Sequence, residues 1–249
     1  SDRLAGLPLG VFGVAIATVI LPNLSRQHVS DNIEKFSMMI DWAIRLVSVI
    51  AIPATLALMI LAEPILISLF YYGELLTSRD MNMATLSLRA YSAGIVAFML
   101  IKVLAPGYFA RQDVKTPVRI GIIAIIANIG LSIVLILPLH FYLGIGHVGL
   151  ALATTLAAIL NSFLLFQGLR KNDIYRPQPG WQKFLLMLFN ANISMCIFLY
   201  GCTAYLGSWF DMIWWERLSL LGLICVLGTA VYVSILFLSG FRIAYIKNQ

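Results

Sequence analysis

Charge is scarce in this sequence. Asp, Glu, Lys and Arg make up 11% of its 249 residues, while 61% are hydrophobic. Soluble domains carry about 25% charged and about 45–50% apolar residues. A water-soluble fold of this length would have nowhere to put the surplus apolar side chains. The solvent of this chain is therefore lipid, and its mean hydropathy of +0.92 says the same. Catalytic constellations are missing too: the sequence holds no HExxH, GxSxG, phosphate-binding glycine loop or CxxC. His140 and His147 have no carboxylate or thiol near them in sequence, and isolated histidines do not make a site. No enzyme, metal site or cofactor is expected. Cysteine is rare as well. Cys196, Cys202 and Cys225 all lie in apolar stretches and read as small hydrophobes rather than as a disulfide framework. The basic excess, a formal charge of +6, would suggest nucleic acid in a soluble protein. Here no polar domain exists to carry such binding, and the excess has the pattern of loops on one side of a membrane.

What is present is a series of long apolar runs. A span needs about 20 mainly apolar residues, and seven stretches meet or approach this: Leu4–Leu21, Trp42–Ala62 with Pro53 at a predicted kink, Met83–Leu104 stopped by Pro106-Gly107, Val118–Leu137 closed by Pro138, Val148–Phe166, Phe184–Leu206 and Leu218–Leu238. Pro64–Tyr72 is apolar but too short to cross and reads as an interfacial or partly inserted helix. Asn23–Met39 is amphipathic and reads as a surface helix lying along the membrane. Lys and Arg fall mainly in alternate loops: Arg26 and Lys35, then Arg111, Lys115 and Arg119, then Arg170, Lys171, Arg176 and Lys183, then Arg242 and Lys247. The opposite side has only Arg3, Arg79 and Arg217. The positive-inside rule makes the first side cytoplasmic, with the C-terminus there and Ser1 outside. An odd number of spans entered from outside, with no signal pattern at the start, suggests a piece of a longer chain.

Ionisable residues within or beside spans are informative because each costs about 2.5–3.5 kcal/mol at a helix centre. Asp41 and Arg45 stand one turn apart and satisfy each other. Arg89 and Lys102 have the reach to snorkel toward opposite surfaces or to face a cavity. Arg3, with Asp2 pointing to another face, is free to grip an anion, since a guanidinium matches phosphate bidentately. Asn128 and Ser132 share one helix face, and Thr154 and Thr155 lie on the next span; such groups either join helices or coordinate a cation. Gly6, Gly10, Gly13 and Ala17, and likewise Gly149, Ala153 and Ala157, form small-residue stripes that suit close helix approach, whether static or sliding.

Several of these residues carry a family resemblance. Asp2-Arg3-Leu4, Leu7-Pro8-Leu9-Gly10-Val11-Phe12-Gly13-Val14-Ala15 and Ile20-Leu21-Pro22-Asn23-Leu24-Ser25 resemble the eighth helix of the MurJ (MviN) family of lipid II flippases. The run from Lys102 to Pro117, containing Ala105-Pro106-Gly107-Tyr108-Phe109-Ala110-Arg111-Gln112-Asp113, is similar to that family's tenth helix and following loop. Pro177-Gln178-Pro179-Gly180-Trp181 resembles the linker before its last two helices. The resemblance implies a multidrug-exporter-like fold, two lobes around a cavity plus a terminal helix pair, and export of lipid II across the bacterial cytoplasmic membrane by alternating access. It gives Arg3 a diphosphate-binding role and the last two helices a groove for the lipid tail. Where some members bind sodium with an Asn and an Asp four apart, this chain has Asn128 and Ser132.

The expected architecture is thus an all-α polytopic membrane protein. Residues 1–170 form one lobe, 171–183 a cytoplasmic linker, and 184–249 the terminal pair and tail. Expected partners are lipid II, membrane lipids and the N-terminal half of the same protein. A drug or oligosaccharide-lipid exporter of the same fold is the alternative, as is a scaffold that would bring cell-wall synthesis proteins. Asp2, Arg3, Arg89 and Lys102 are the candidate substrate-binding residues.

Overall fold

The computed structural model describes residues 6, 10, 33–71 and 77–241. Asp2, Arg3, most of the predicted first span, Asn23 to Asn32, and the tail residues Arg242 and Lys247 lie outside the described residues. Among the described residues there is no strand, and eight α-helices and one 3-10 turn are present: α1 Ile33–Ile60, α2 Ala62–Phe70, α3 Ser78–Ser92, α4 Ile95–Phe109, α5 Lys115–Leu143, α6 Gly146–Lys171, α7 Trp181–Leu206, the turn Trp209–Asp211, and α8 Trp214–Leu238. Six segments are long and apolar enough to cross a membrane, α3 and α4 counting together as Ser78–Phe109. These six coincide with the predicted second to seventh spans; of the first, only Gly6 and Gly10 are among the described residues.

Three predicted boundaries need correction. The surface segment and the second span are not separate: residues 33–39 are the opening turns of α1, whose 28 residues reach about 42 Å. Pro106 and Pro138 do not stop their helices, which continue to Phe109 and Leu143. Proline removes one donor and strains the turn before it, but in lipid a helix remains the cheapest way to satisfy the backbone. The real stops are left-handed residues, Gln112 at φ 61° and Gly144 at φ 67°. Pro53 is likewise carried inside α1. It leaves the Val49 carbonyl without its helical donor, and the Tyr232 hydroxyl on α8 donates to that oxygen at 2.8 Å.

The predicted interfacial helix is α2, but it is largely buried, with Ala62, Pro64, Leu66, Ile67 and Ser68 turned inward. One apolar core joins α1, α4 and α6 through Ile40, Val47, Met99, Leu104 and Leu169. A second joins α2 and α3 to the terminal pair through Leu61, Ile67, Leu88, Leu188 and Ile224. Gly228 lets α8 approach α7, since a Cβ there would stand 2.8 Å from Leu199. Helix α5 packs along α6 and otherwise faces outward: only 11% of its apolar window is buried, against 50% for α6.

The third span is broken at Ala93-Gly94, between α3 and α4. Thr155, 3% exposed, donates to the Ala90 carbonyl at 2.7 Å, supplying a donor next to the break. Its neighbour Thr154, among the described residues, bonds only to Leu150 of its own helix, at 3.0 Å. Interhelical hydrogen bonds in membranes are worth about 0.6–2 kcal/mol. Thr155→Val is therefore expected to cost about 1 kcal/mol and to lower the thermal midpoint of the full-length protein in detergent. Thr154→Val should leave that midpoint unmoved, and an equal loss from both would refute the joining role of Thr155.

Candidate functional site

The candidate residues separate once their surroundings are known. Asp2 and Arg3 lie outside the described residues. Arg89, half-buried, donates from Nε to the Met59 carbonyl at 3.1 Å, covering an oxygen at the end of α1. Thr154 and Thr155 direct their hydroxyls to different carbonyls, and both of those bonds are structural. Asn128 and Ser132 are half-buried on α5, and Asn128 Oδ1 is buried without a partner among the described residues. Among the described residues no three His, Cys, Asp or Glu side chains gather as a metal site would require.

Lys102 differs from these. It is exposed on α4, whose opposite side packs on α1 and α6, and among the described residues its ammonium has no partner. Pro106, four residues on, has no N–H with which to close the turn on the Lys102 carbonyl. Pro106 itself is buried, so it is the ammonium that opens outward from a spanning helix. A bare charge is expensive against hydrocarbon and acceptable against a hydrated cavity.

A second polar centre was legible only in part. Asp41 and Arg45 form the expected pair, Nε to Oδ2 at 2.7 Å. Sequence reading missed what else they hold. Asp41 Oδ1 accepts from the Tyr175 hydroxyl at 2.8 Å, the Trp181 indole at 2.8 Å and the Gln178 amide at 3.2 Å. Burial first, and the bond to Asp41 second, push the Tyr175 phenol far above its ordinary range, so it remains a donor. Beside this centre is a polar cavity of about 670 Å³, lined by Glu34, Ser37, Arg111, Asp173 and Arg176 among others. Its charges are mixed in sign. Arg217, expected in an outer loop, is 7% exposed and donates to the Tyr71 and Phe210 carbonyls at 3.2 and 2.8 Å.

A large apolar groove of about 700 Å³ has Ile52 and Leu56 of α1 on one wall and Leu185, Leu186, Leu188, Phe189, Ile193 and Cys196 of α7 on the other. It lies between the terminal pair and α1, and no α8 residue lines it. A branched or straight hydrocarbon would fit it, and a charged group would find only Asn192 there.

The family model described as "Lipid II flippase MurJ" matches residues 1–221. The chain belongs to the MurJ family. A "Probable lipid II flippase MurJ" of Vibrio cholerae is 47% identical over 99% of this chain, covering 46% of that protein. A "Lipid II flippase MurJ" of Burkholderia cenocepacia is 38% identical over 100% of the chain and 47% of its own length. Among solved structures, a "Lipid II flippase MurJ, inward closed conformation" superposes with a TM-score of 0.71 at 25% identity, over 94% of this chain and 44% of that one. The chain spans about half the length of the curated relatives it matches. It has the MurJ fold over that half, a multi-pass helical membrane architecture of a transporter family.

Proposed function

We propose that this chain supplies one half of a flippase that carries lipid II outward across the bacterial cytoplasmic membrane by alternating access, without a covalent step. The observation that carries the reading is the match to lipid II flippases along nearly the whole chain. The geometry supports a division of labour consistent with that substrate. A flippase must carry a diphosphate through a region where each bare charge is costly. Arg3 and Lys102 are the cations assigned to the headgroup, Arg3 by the family motif and Lys102 by its exposed ammonium, unpaired among the described residues. The α1/α7 groove is assigned to the prenyl tail, which then remains in an apolar setting throughout. The charge distribution of the loops supports a cytoplasmic C-terminus. Arg89 gives its Nε to Met59 and keeps its Nη donors for the headgroup, as a lesser member of the set.

Native mass spectrometry on the full-length protein tests this, with lipid II, undecaprenyl phosphate and a cationic drug as the panel. Preferential lipid II binding that falls about tenfold with Arg3→Ala, equivalent to about 1.4 kcal/mol, is the expected result. Equal binding of all three, unchanged by the substitution, would favour an exporter or scaffold role and return Arg3 to structure.

A further inference from the structure

Asp41 is 2% exposed and accepts from four donors. One is Arg45 on its own helix. The other three, Tyr175, Gln178 and Trp181, belong to the linker and the first residue of α7. Arg45 extends the grip: its Nη2 donates to the Pro179 carbonyl at 3.1 Å, and its guanidinium lies 5.0 Å from the Trp181 ring centre and 5.6 Å from that of Phe184. One turn earlier, the Ser37 hydroxyl accepts from the Arg176 amide at 2.9 Å and donates to the Arg176 carbonyl at 3.2 Å. A carboxylate has about four acceptor positions, and here the partners that fill them come mostly from the linker and the start of α7. Packing α1 alone requires none of these donors. What they accomplish is to fix where α7 begins.

That placement matters because the two walls of the apolar groove are α1 and α7. The walls are joined near one end by the Asp41 cluster. Farther along α1 the Tyr232 bond to Val49 holds α8, the hairpin partner of α7, three residues before Ile52 enters the groove. We propose that Asp41, with Arg45, is the latch that docks the terminal helix pair on the lobe and so a positioning residue for the groove, which takes a long prenyl chain. The identity of that occupant rests on the lipid II reading; the latch itself does not. Releasing Asp41 frees the linker first, and then lets α7 move away from Ile52 and Leu56, so that the tail loses one wall while the headgroup contacts are untouched.

Two readouts on the full-length protein separate these steps. In membrane vesicles with the linker side exposed, trypsin cleavage after Lys171 or Lys183, the cleavable sites at the two ends of the linker, reports linker release. Asp41→Asn keeps the shape but sets an amide donor against Arg45, and linker cleavage is expected to accelerate about tenfold, in line with the strength of charge-assisted bonds. Trp181→Phe, which removes a single donor and retains the ring, is the milder second variant and should accelerate it less. Native mass spectrometry should then show Asp41→Asn binding lipid II about tenfold more weakly and a farnesyl-chain analogue as well as wild type does. Unchanged cleavage in both variants would overturn the latch. Faster cleavage with equal losses for both chain lengths, or with none, would overturn the positioning role. A wild-type protein that binds neither lipid, while the variants still cleave faster, would overturn the lipid II reading and leave the latch supported.

Discussion

Gly149→Leu should leave little folded protein in the membrane, the largest stability effect expected of any single substitution here. A Cβ at Gly149 would stand 3.0 Å from the Leu135 carbonyl carbon and oxygen and 3.0 Å from the Ile136 nitrogen. Those are backbone atoms within α5, so no change of rotamer makes room. Between apolar helices in lipid there is no hydrophobic force to fall back on, and close backbone contact supplies the attraction. Helix α5 depends on that contact more than the others do, since nearly all of its remaining surface faces outward. Forcing even one methyl into a filled space costs about 1–3 kcal/mol; a leucine has to part the helices. Gly121→Leu on α5 provides the comparison, because a Cβ there meets nothing within 4 Å. Yield and thermal midpoint of the full-length protein should collapse for Gly149→Leu and stay near wild type for Gly121→Leu. Similar values for the two would show that α5 is held by something other than this contact.

The same glycine shows what could be read from the sequence. Its stripe with Ala153 and Ala157 announced a close helix approach, and all three are buried; the partner, α5, was not readable from spacing. Apolar runs located six spans because lipid imposes length and composition directly. Their ends were misjudged at Pro106 and Pro138, where the helix continues past the proline because in lipid it remains the cheapest way to satisfy the backbone. Within the candidate site, the Asp41/Arg45 pair was legible because its partners are one turn apart. Tyr175, Gln178 and Trp181 were not, being more than a hundred residues away in sequence. The Tyr232 contact was half legible: Pro53 declares an orphan carbonyl at Val49, but nothing local says which of many distant hydroxyls will reach it.

Lys102→Met is expected to reduce lipid II translocation by the full-length protein about 10- to 100-fold without lowering its thermal midpoint, the largest functional effect expected within the described residues. Methionine is near in length and removes only the charge. The side chain is exposed and, among the described residues, unpartnered, so no packing or bond is lost with it. Two settings for this lysine predict opposite signs. Facing lipid, the ammonium is a burden of about 2.5–3.5 kcal/mol; replacing it would then stabilise the protein and leave transport alone. Facing a hydrated cavity, it costs little to keep, its loss leaves the midpoint where it was, and the diphosphate loses a cation. Lys102→Arg retains the charge and should keep most activity, though a planar fork is not a point charge and some loss is expected. Translocation of fluorescent lipid II in proteoliposomes, read beside the thermal midpoint, distinguishes the two. A higher midpoint with undiminished transport would move Lys102 to the lipid face and remove it from the site.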